Sequence, residues 1–170
     1  KSLLRHPKVV STAGDLTNGA VHPVLDDRTI ADPKSIRKIV LCSGKIYYEL
    51  LAAREARKAT DETAAHTAIV RVEQMYPFPE AELSGVIQRY SSASGVVWAQ
   101  EEPRNMGAWI FMRTRLQRLL ANEARALGYA GRPESASPAP GSPKVHAREQ
   151  ADLLEQAFAP PSIARRWRKR

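Results

Sequence analysis

The chain has 170 residues, of which 43% are hydrophobic and 26% are charged, and this balance excludes a wholly disordered protein. Its apolar runs are far shorter than the ~20 residues of a membrane-spanning helix, and its single cysteine excludes an internal disulfide framework. Most of the net charge of +8 comes from five basic residues in a predicted basic tail over residues 160–170, which we interpret as a solvated end rather than a nucleic-acid-binding arm.

The first 35 residues show little hydrophobic periodicity and contain Pro7, Pro23 and Pro33 among Gly, Asn, Asp and Thr. This composition is typical of a segment that lies along a surface without regular structure. Such a long segment is unusual inside a compact domain and more natural between domains. The sequence therefore predicts a linker arm from a preceding domain over residues 1–35, followed by an α/β domain over residues 36–159.

Three strand–helix units follow the predicted linker. A nearly uninterrupted apolar run at residues 36–42 predicts a first strand that is buried on both faces, and two further strands are predicted at residues 67–72 and 95–100. Each strand precedes an amphipathic helix. The apolar positions of these helices are Ile46, Tyr47, Leu50 and Leu51, then Leu83, Val86, Ile87 and Tyr90, and then Trp109, Met112, Leu116, Leu119 and Leu120.

The remaining part of the chain predicts one more strand and one more helix. The strand is short, at residues 127–130, and a loop rich in serine and proline at residues 135–143 separates it from a final helix at residues 144–159. Strands that alternate with helices at this spacing form a largely parallel sheet covered by helices. The sequence thus predicts an α/β fold with three layers, α/β/α, around a mainly parallel sheet.

Two adjacent carboxylates, Glu101 and Glu102, follow the third predicted strand, at the edge where open α/β sheets bind ligands. An acid/base pair requires two side chains that converge on one atom, whereas adjacent residues leaving a strand point in opposite directions. We therefore favour a structural turn that contains Glu101, Glu102, Asn105 and Gly107. In this turn one carboxylate would cap backbone donors and the other would meet an arginine.

The segment Ser43-Gly44-Lys45 lies between the first predicted strand and the first predicted helix. Free N–H groups at the start of a helix can hold an anion there. The segment lacks the further glycines of a phosphate-binding loop, so we favour a plain tight turn capped by Ser43 over an anion site.

The histidines and the cysteine do not indicate a metal site. His6, His22, His66 and His146 are spaced too irregularly for a helical metal pair, and Cys42 has no second cysteine to act with. Burial in an apolar strand also keeps a thiol protonated and inert. The sequence therefore predicts no metal site and no catalytic residue in this chain.

Several motifs, taken together, resemble one family. They are Lys1-Ser2-Leu3-Leu4-Arg5-His6-Pro7, then KIVLCSGKIYYEL at 38–50, IVRVEQMYPFP at 69–79, WAQEEPRNMGAW at 98–109, and YAGRP at 129–133 leading into SASPA at 135–139. In this order and spacing they resemble the carboxyl-terminal domain of the thiamin-diphosphate-dependent first component of 2-oxoglutarate dehydrogenase, a domain of the transketolase type. The resemblance runs from Lys1 to about Phe158, and the basic tail extends beyond it.

The resemblance implies an enzyme of the tricarboxylic acid cycle that decarboxylates 2-oxoglutarate on thiamin diphosphate and passes the succinyl group to the lipoyl arm of a succinyltransferase component. It implies that two upstream domains hold the thiamin diphosphate and Mg²⁺, so this chain alone would bind neither and would be inactive. It also implies that the domain supports a homodimer and contributes to an effector site. We expect a bacterial cytoplasmic protein, with the mitochondrial matrix as the alternative location, and no membrane or nucleic-acid partner.

We expect Lys45 and Arg71 at the effector site. Lys45 follows the first predicted strand and Arg71 lies near the end of the second, so parallel strands place both at the same edge of the sheet. Arg54, farther along the first helix, is a third candidate. An internal ion pair of Arg71 with Glu73 or Glu101 is the alternative to effector binding. At the level of the whole chain, the alternative is a free-standing interaction module that binds an anionic partner through Lys45, Arg71 and the basic tail.

Overall fold

The computed structural model describes residues 3–17 and 19–160. Its strands are β1 (Val24–Leu25), β2 (Lys38–Cys42), β3 (Thr67–Val72), β4 (Gly95–Pro103) and β5 (Ala126–Arg132). Its helices are α1 (Ala13–Thr17), α2 (Ile46–Arg57), α3 (Glu62–Ala65), α4 (Glu80–Arg89), α5 (Trp109–Leu119) and α6 (Pro143–Phe158), with 3₁₀ turns at Leu3–Arg5 and Pro33–Ser35. In this part of the chain no helix is both long and apolar enough to cross a membrane.

The strands form one five-stranded sheet in the order β1-β3-β2-β4-β5. Strands β3, β2, β4 and β5 run parallel to one another. Only the edge strand β1 is antiparallel, and it pairs with β3. The predicted α/β fold with three layers and a mainly parallel sheet is therefore confirmed.

The central strand β2 separates two hydrophobic cores. Ile39 and Leu41 point into the core covered by α4 and α5, whereas Val40 and Cys42 point into the core covered by α2, α3 and α6. Successive side chains of a strand alternate between the two faces of its sheet. An apolar run such as residues 39–42 is therefore what a strand covered by helices on both sides requires, and all five residues of β2, including Lys38, are buried.

Strand β4 runs three residues farther than the sequence predicts. It ends at Pro103 instead of Gln100, so Glu101 and Glu102 belong to the strand and not to the turn. Its register with β5 shifts between Ala99 and Pro103, which marks a bulge. Bulges of this kind interrupt the ladder and redirect side chains, so the strand end is free to form one wall of a cleft.

The second half of the predicted linker is part of the sheet and its surroundings. Val24 and Leu25 pair with β3 as an edge strand, and the backbone N–H groups of Glu73 and Gln74 donate to the Pro23 carbonyl. A strand of two residues is too short to show an alternating hydrophobic pattern, so the sequence predicts no regular structure in this segment. The limits of the linker, domain and tail as three units stay a prediction, and residues 161–170 of the predicted basic tail lie outside the described residues.

Lys38, the first residue of β2, is a buried lysine at the amino-terminal edge of the sheet. Its ammonium group donates a hydrogen bond to the carbonyl of Ala159, the residue that follows α6. A positive charge at the C-terminus of a helix interacts favourably with the helix dipole. Lys38 therefore fixes the end of α6 to the central strand.

Candidate functional site

Two clefts open at the carboxyl-terminal edge of the sheet. The first, which we call the switch-point cleft, has a volume of about 500 Å³ and lies between the ends of β2 and β4. Strand β3 lies on one side of β2 and β4 on the other, so the strand order reverses at this point. In open α/β sheets such a reversal leaves a crevice at the strand ends, and this is the usual location of a ligand site.

Lys45 lies on one wall of the switch-point cleft, directly before α2. Gly44 has a φ of +72°, a left-handed conformation that favours glycine and turns the chain from β2 into α2. The Lys45 ammonium contacts the carboxylate of Glu49 and donates to Oε1 of Glu101 over 2.9 Å. Partial burial alone would lower the pKa of Lys45, but the hydrogen bonds to these two carboxylates outweigh it and raise the pKa.

Gln100 organises the opposite wall of the switch-point cleft. Its Oε1 accepts hydrogen bonds from Nε1 of Trp98 and from the backbone N–H of Trp109, both over 2.9 Å. Its Nε2 donates to the Met106 carbonyl over 2.8 Å and also faces the carbonyls of Glu102 and Pro103. One buried amide thus joins the end of β4, the following turn and the start of α5.

The turn after β4 depends on Gly107 and Asn105. Gly107 has a φ of +64°, and a Cβ at this position would lie 3.0 Å from Nε2 of Gln100. A side chain there would therefore be strained and would displace the Gln100 amide. Asn105 exchanges two hydrogen bonds of 3.0 Å with the backbone of Ser135 and so ties the turn to the loop that precedes α6.

The two adjacent carboxylates do not form a convergent pair. Glu101 forms an ion pair with Lys45, whereas the side chain of Glu102 is exposed to solvent. Among the residues that the structure describes, neither carboxylate has a backbone N–H as a partner. Neither carboxylate therefore caps backbone donors here, although the sequence predicts this for one of them. The other is predicted to contact an arginine, but Glu101 contacts a lysine, Lys45.

The second cleft, which we call the Arg71 cleft, has a volume of about 450 Å³. Arg71 contributes its guanidinium group, whose Nε lies 2.8 Å from Oε1 of Glu73 and whose Nη1 donates to the hydroxyl of Tyr48 over 2.9 Å. The group also lies over the ring of Tyr47, 4.7 Å from its centroid. An internal ion pair of Arg71 with Glu73 or Glu101 is the alternative to effector binding that the sequence leaves open, and the structure contains the pair with Glu73.

The Arg71 cleft combines residues from the sheet, α2 and the predicted linker. Charged side chains of the linker of both signs also line the cleft, the basic Lys8, His22 and Arg28 and the acidic Asp15 and Asp26. The ring of His6 contacts that of Tyr48, with centroids 5.5 Å apart. An anion with a flat group could be held here by Arg71 and the tyrosine rings.

The three predicted effector residues are not brought together. Cys42 of β2 is in register with Arg71 of β3, so Lys45 and Arg71 do lie at the same edge of the sheet. They line different clefts, however, and each already has a carboxylate partner. Arg54 lies in the interior with an exposed fraction of only 4%, where it is bound to Asp27, Thr29 and the carbonyl of Thr67. It faces neither cleft.

No group of three or more His, Cys, Asp and Glu side chains converges in the described parts of the chain. The thiol of Cys42 is fully buried, and burial raises its pKa well above the usual range, so the thiolate is suppressed. Its weak donor contact is with the carbonyl of Val70, at 3.8 Å. These residues therefore form neither a metal centre nor an activated nucleophile.

The two clefts are shaped by Gln100, Tyr47 and Tyr48, whose roles no sequence pattern predicts. The pattern places Tyr47 in the apolar stripe of a helix and Gln100 at the end of a strand. The one available signal for Gln100 is a polar side chain two residues after a tryptophan in an apolar strand, since a buried amide needs hydrogen-bond partners close by.

Residues 10–158 match the family model described as 2-oxoglutarate dehydrogenase C-terminal. The chain is 47% identical over 160 residues to the 2-oxoglutarate dehydrogenase E1 component of Azotobacter vinelandii, which covers 93% of this chain and 16% of that protein. It is 41% identical over 159 residues to the E1 components of Cupriavidus necator and Haemophilus influenzae. Each of these matches covers 94% of this chain and 16% of the relative. The chain spans about a sixth of the length of these relatives.

Proposed function

Because this chain belongs to the family of 2-oxoglutarate dehydrogenase C-terminal domains, we propose that it is the carboxyl-terminal domain of an E1 component. The whole enzyme would decarboxylate 2-oxoglutarate and transfer the succinyl group to the lipoyl arm of a succinyltransferase component, in the tricarboxylic acid cycle. The observation that carries the proposal is the match over residues 10–158, which includes every strand of the sheet. The bacterial sources of these relatives support a bacterial cytoplasmic enzyme.

Thiamin diphosphate with Mg²⁺ would supply the electron sink that decarboxylation of a 2-oxo acid requires. Mg²⁺ requires several oxygen ligands around one point, often including phosphates. The described residues do not fit this group, since no three of their acidic or histidine side chains converge and Glu73 and Glu101 are both paired with cations. We therefore propose that upstream domains hold the cofactor, and that the role of this domain is structural and regulatory, including support of a homodimer.

The test of the proposed activity uses the complete natural gene product that contains this chain. Purified protein with thiamin diphosphate, Mg²⁺ and an artificial electron acceptor is expected to oxidise 2-oxoglutarate in preference to pyruvate. The 170-residue chain alone is expected to give no turnover under the same conditions. A complete protein that prefers another 2-oxo acid, or an isolated chain that turns over substrate, would contradict the proposal.

We further propose that the Arg71 cleft contributes to an effector site for a nucleotide-like activator. Support comes from the guanidinium group of Arg71 and the rings of Tyr47 and Tyr48 beside it, in a cleft that basic residues of the linker also line. Lys45 lies at the same edge and would act from the neighbouring cleft. Arg54 is not part of this proposed site, because its donors are used inside the domain.

The effector proposal is tested by titrating the complete protein with a nucleoside monophosphate and with an acyl-coenzyme A. Activation is expected to weaken in Arg71→Ala and, to a smaller extent, in Lys45→Ala. Arg57→Ala is the matched control, because Arg57 also pairs with a carboxylate, that of Glu155, and neither residue lines either of the two clefts. Full activation of both variants with an intact fold would end the effector proposal without affecting the proposed catalytic activity.

A further inference from the structure

The arginines of the domain fall into two groups. Six of those between residues 38 and 160 pair with a carboxylate at an N–O distance of no more than 2.8 Å, namely Arg54, Arg57, Arg71, Arg89, Arg125 and Arg132. The remaining five have no such partner among the described residues: Arg148 stands alone on α6, and four occur close together in the chain, namely Arg104, Arg113, Arg115 and Arg118. The second group therefore leaves its positive charge uncompensated.

These four arginines lie on α5 or in the turn that leads into it. The chain contains no acidic residue between Glu102 and Glu123, so α5 cannot neutralise its own charge. By comparison, α6 carries Glu149, Asp152 and Glu155 next to its basic residues. An acid-free helix with three arginines is unusual on a surface where charges of both signs are normally interspersed.

Aromatic rings, not carboxylates, hold two of the four guanidinium groups. The guanidinium carbon of Arg115 lies 3.5 Å from the centroid of Phe111, and its Nη1 donates to the Phe111 carbonyl over 3.0 Å. Arg104 lies over the ring of Tyr129, which itself contacts the ring of Trp109 at the start of α5. Stacking orients a guanidinium group but leaves its charge and most of its donors available.

An exposed apolar side chain accompanies these charges. Ile110, in the first turn of α5, has an exposed fraction of 58%, and Arg113 lies one turn farther along the same side of the helix. Protein interfaces combine arginine with apolar side chains that become buried on binding. Arg113 and Arg115 are only two positions apart and so point to different flanks of the exposed side of α5. We call the surface that Arg104, Ile110, Arg113, Arg115 and Arg118 form around this exposed side the α5 arginine face.

We infer that the α5 arginine face binds an acidic surface of a partner protein. Glu80 and Glu82 open the neighbouring helix α4, which covers the same core as α5, and both side chains are exposed without an ion pair in the described structure. These carboxylates weaken the attraction of a long polyanion such as DNA or an anionic membrane, whereas a discrete acidic patch can avoid them. The face lies on α5 rather than at either cleft, so this inference does not depend on the proposed function.

The test compares two charge-reversal variants of the complete natural protein. Arg113→Glu with Arg118→Glu changes the face, and Lys144→Glu with Arg148→Glu on α6 is the matched control with the same change in net charge at exposed positions. The probe is a fluorescein-labelled 20-residue helical peptide of Glu and Leu, and a peptide with Gln in place of Glu controls for apolar binding. We expect the first variant to bind the Glu/Leu peptide at least about tenfold more weakly, while the control variant binds like the wild type.

Three outcomes would overturn the inference. Equal weakening in both variants would show that net charge alone determines binding. Absence of binding by the complete protein would show that upstream regions cover the face. Tighter binding of duplex DNA or of phosphatidylserine vesicles, lost in the same variant, would assign the face to a different class of partner. If circular dichroism shows that the Glu variant is unfolded, Arg113→Gln with Arg118→Gln is measured instead.

Discussion

Asp27 and Arg54 form an ion pair that solvent does not reach, with exposed side-chain fractions of 1% and 4%. The carboxylate also accepts hydrogen bonds from the backbone N–H of Ile69 and from the side chain of Thr29. Arg54 in turn donates to the carbonyl of Thr67. The pair thus joins a segment of the predicted linker to α2 and β3.

Asp27→Asn is expected to destabilise the domain by about 3–5 kcal/mol, because it leaves the charge of Arg54 buried without a counterion. The measurement is urea unfolding followed by tryptophan fluorescence. Asp15→Asn is the matched control, since Asp15 is an exposed cap within the same linker. A loss for Asp27→Asn no larger than that of the control would contradict the expectation.

The effect of Asp27→Asn is also expected to depend on pH. Burial opposes ionisation of Asp27, but the hydrogen bonds from Arg54, Thr29 and Ile69 outweigh it and lower the pKa of the carboxyl group. A lowered pKa gives stability that is present above the ordinary value of about 3.9 and is lost as pH falls through the folded-state pKa. The difference between wild type and variant should therefore shrink below about pH 4, and a constant difference would argue against this cause.

Trp109→Ala is expected to cost about 3–5 kcal/mol, as do other large deletions in a core. Trp109 is buried, contacts the ring of Tyr129 and begins the face of α5 that covers one core. Ile110→Ala removes a mostly exposed neighbour and should change stability by less than about 1 kcal/mol. The two variants are compared in the same urea titration, where similar losses would show that Trp109 is not part of the core.

Gln100→Ala is expected to cost about 2–4 kcal/mol, because several buried donors and acceptors lose their partner at once. Those groups are Nε1 of Trp98, the N–H of Trp109 and the carbonyl of Met106. Gln88→Ala, at an exposed position of α4, should be close to neutral. Backbone amide hydrogen exchange should also accelerate at residues 103–109 in Gln100→Ala but not in Gln88→Ala. Unchanged exchange there would show that Gln100 does not hold this turn in place.

Lys38 should make the stability of the domain rise between about pH 8 and pH 10.5. Burial lowers the pKa of Lys38 to about 8, and the charge of Asp61 only partly opposes this. In that pH range the unfolded chain binds more protons than the folded one, so stability increases with pH. Wild type should therefore gain up to about 3 kcal/mol relative to Lys38→Met over this range, with exposed Lys34→Met as the control. A pH-independent difference would contradict the expectation.

The sequence predicted well those features that a local pattern determines. The apolar run before Ser43 could only be a strand with helices on both sides, and the helical spacing of Leu83 and Ile87 placed α4 against the core. Short or long-range features were not accessible in this way. Arg54 belongs to a charged helix surface by its spacing, and it is buried only because Asp27, in a segment without periodicity, provides its counterion.

The same distinction applies to the candidate site. That Lys45 and Arg71 lie at one edge follows from parallel strands, a rule that needs no coordinates. Their assignment to two clefts depends on where side chains from other elements lie, such as Tyr48 beside Arg71 and Glu101 beside Lys45. These contacts connect residues that are 23 and 56 positions apart, beyond the reach of any local pattern.

Because Cys42 is buried, its reactivity with a thiol reagent measures how often the domain opens. This thiol is the single one in the chain and is fully buried, on the side of the central strand that α2, α3 and α6 cover. A thiol-specific reagent can therefore reach it only in molecules in which this core has opened, and the rate of labelling measures how often this happens. Compared across the variants above, that rate would separate changes that affect only a cleft or a loop from changes that loosen this core.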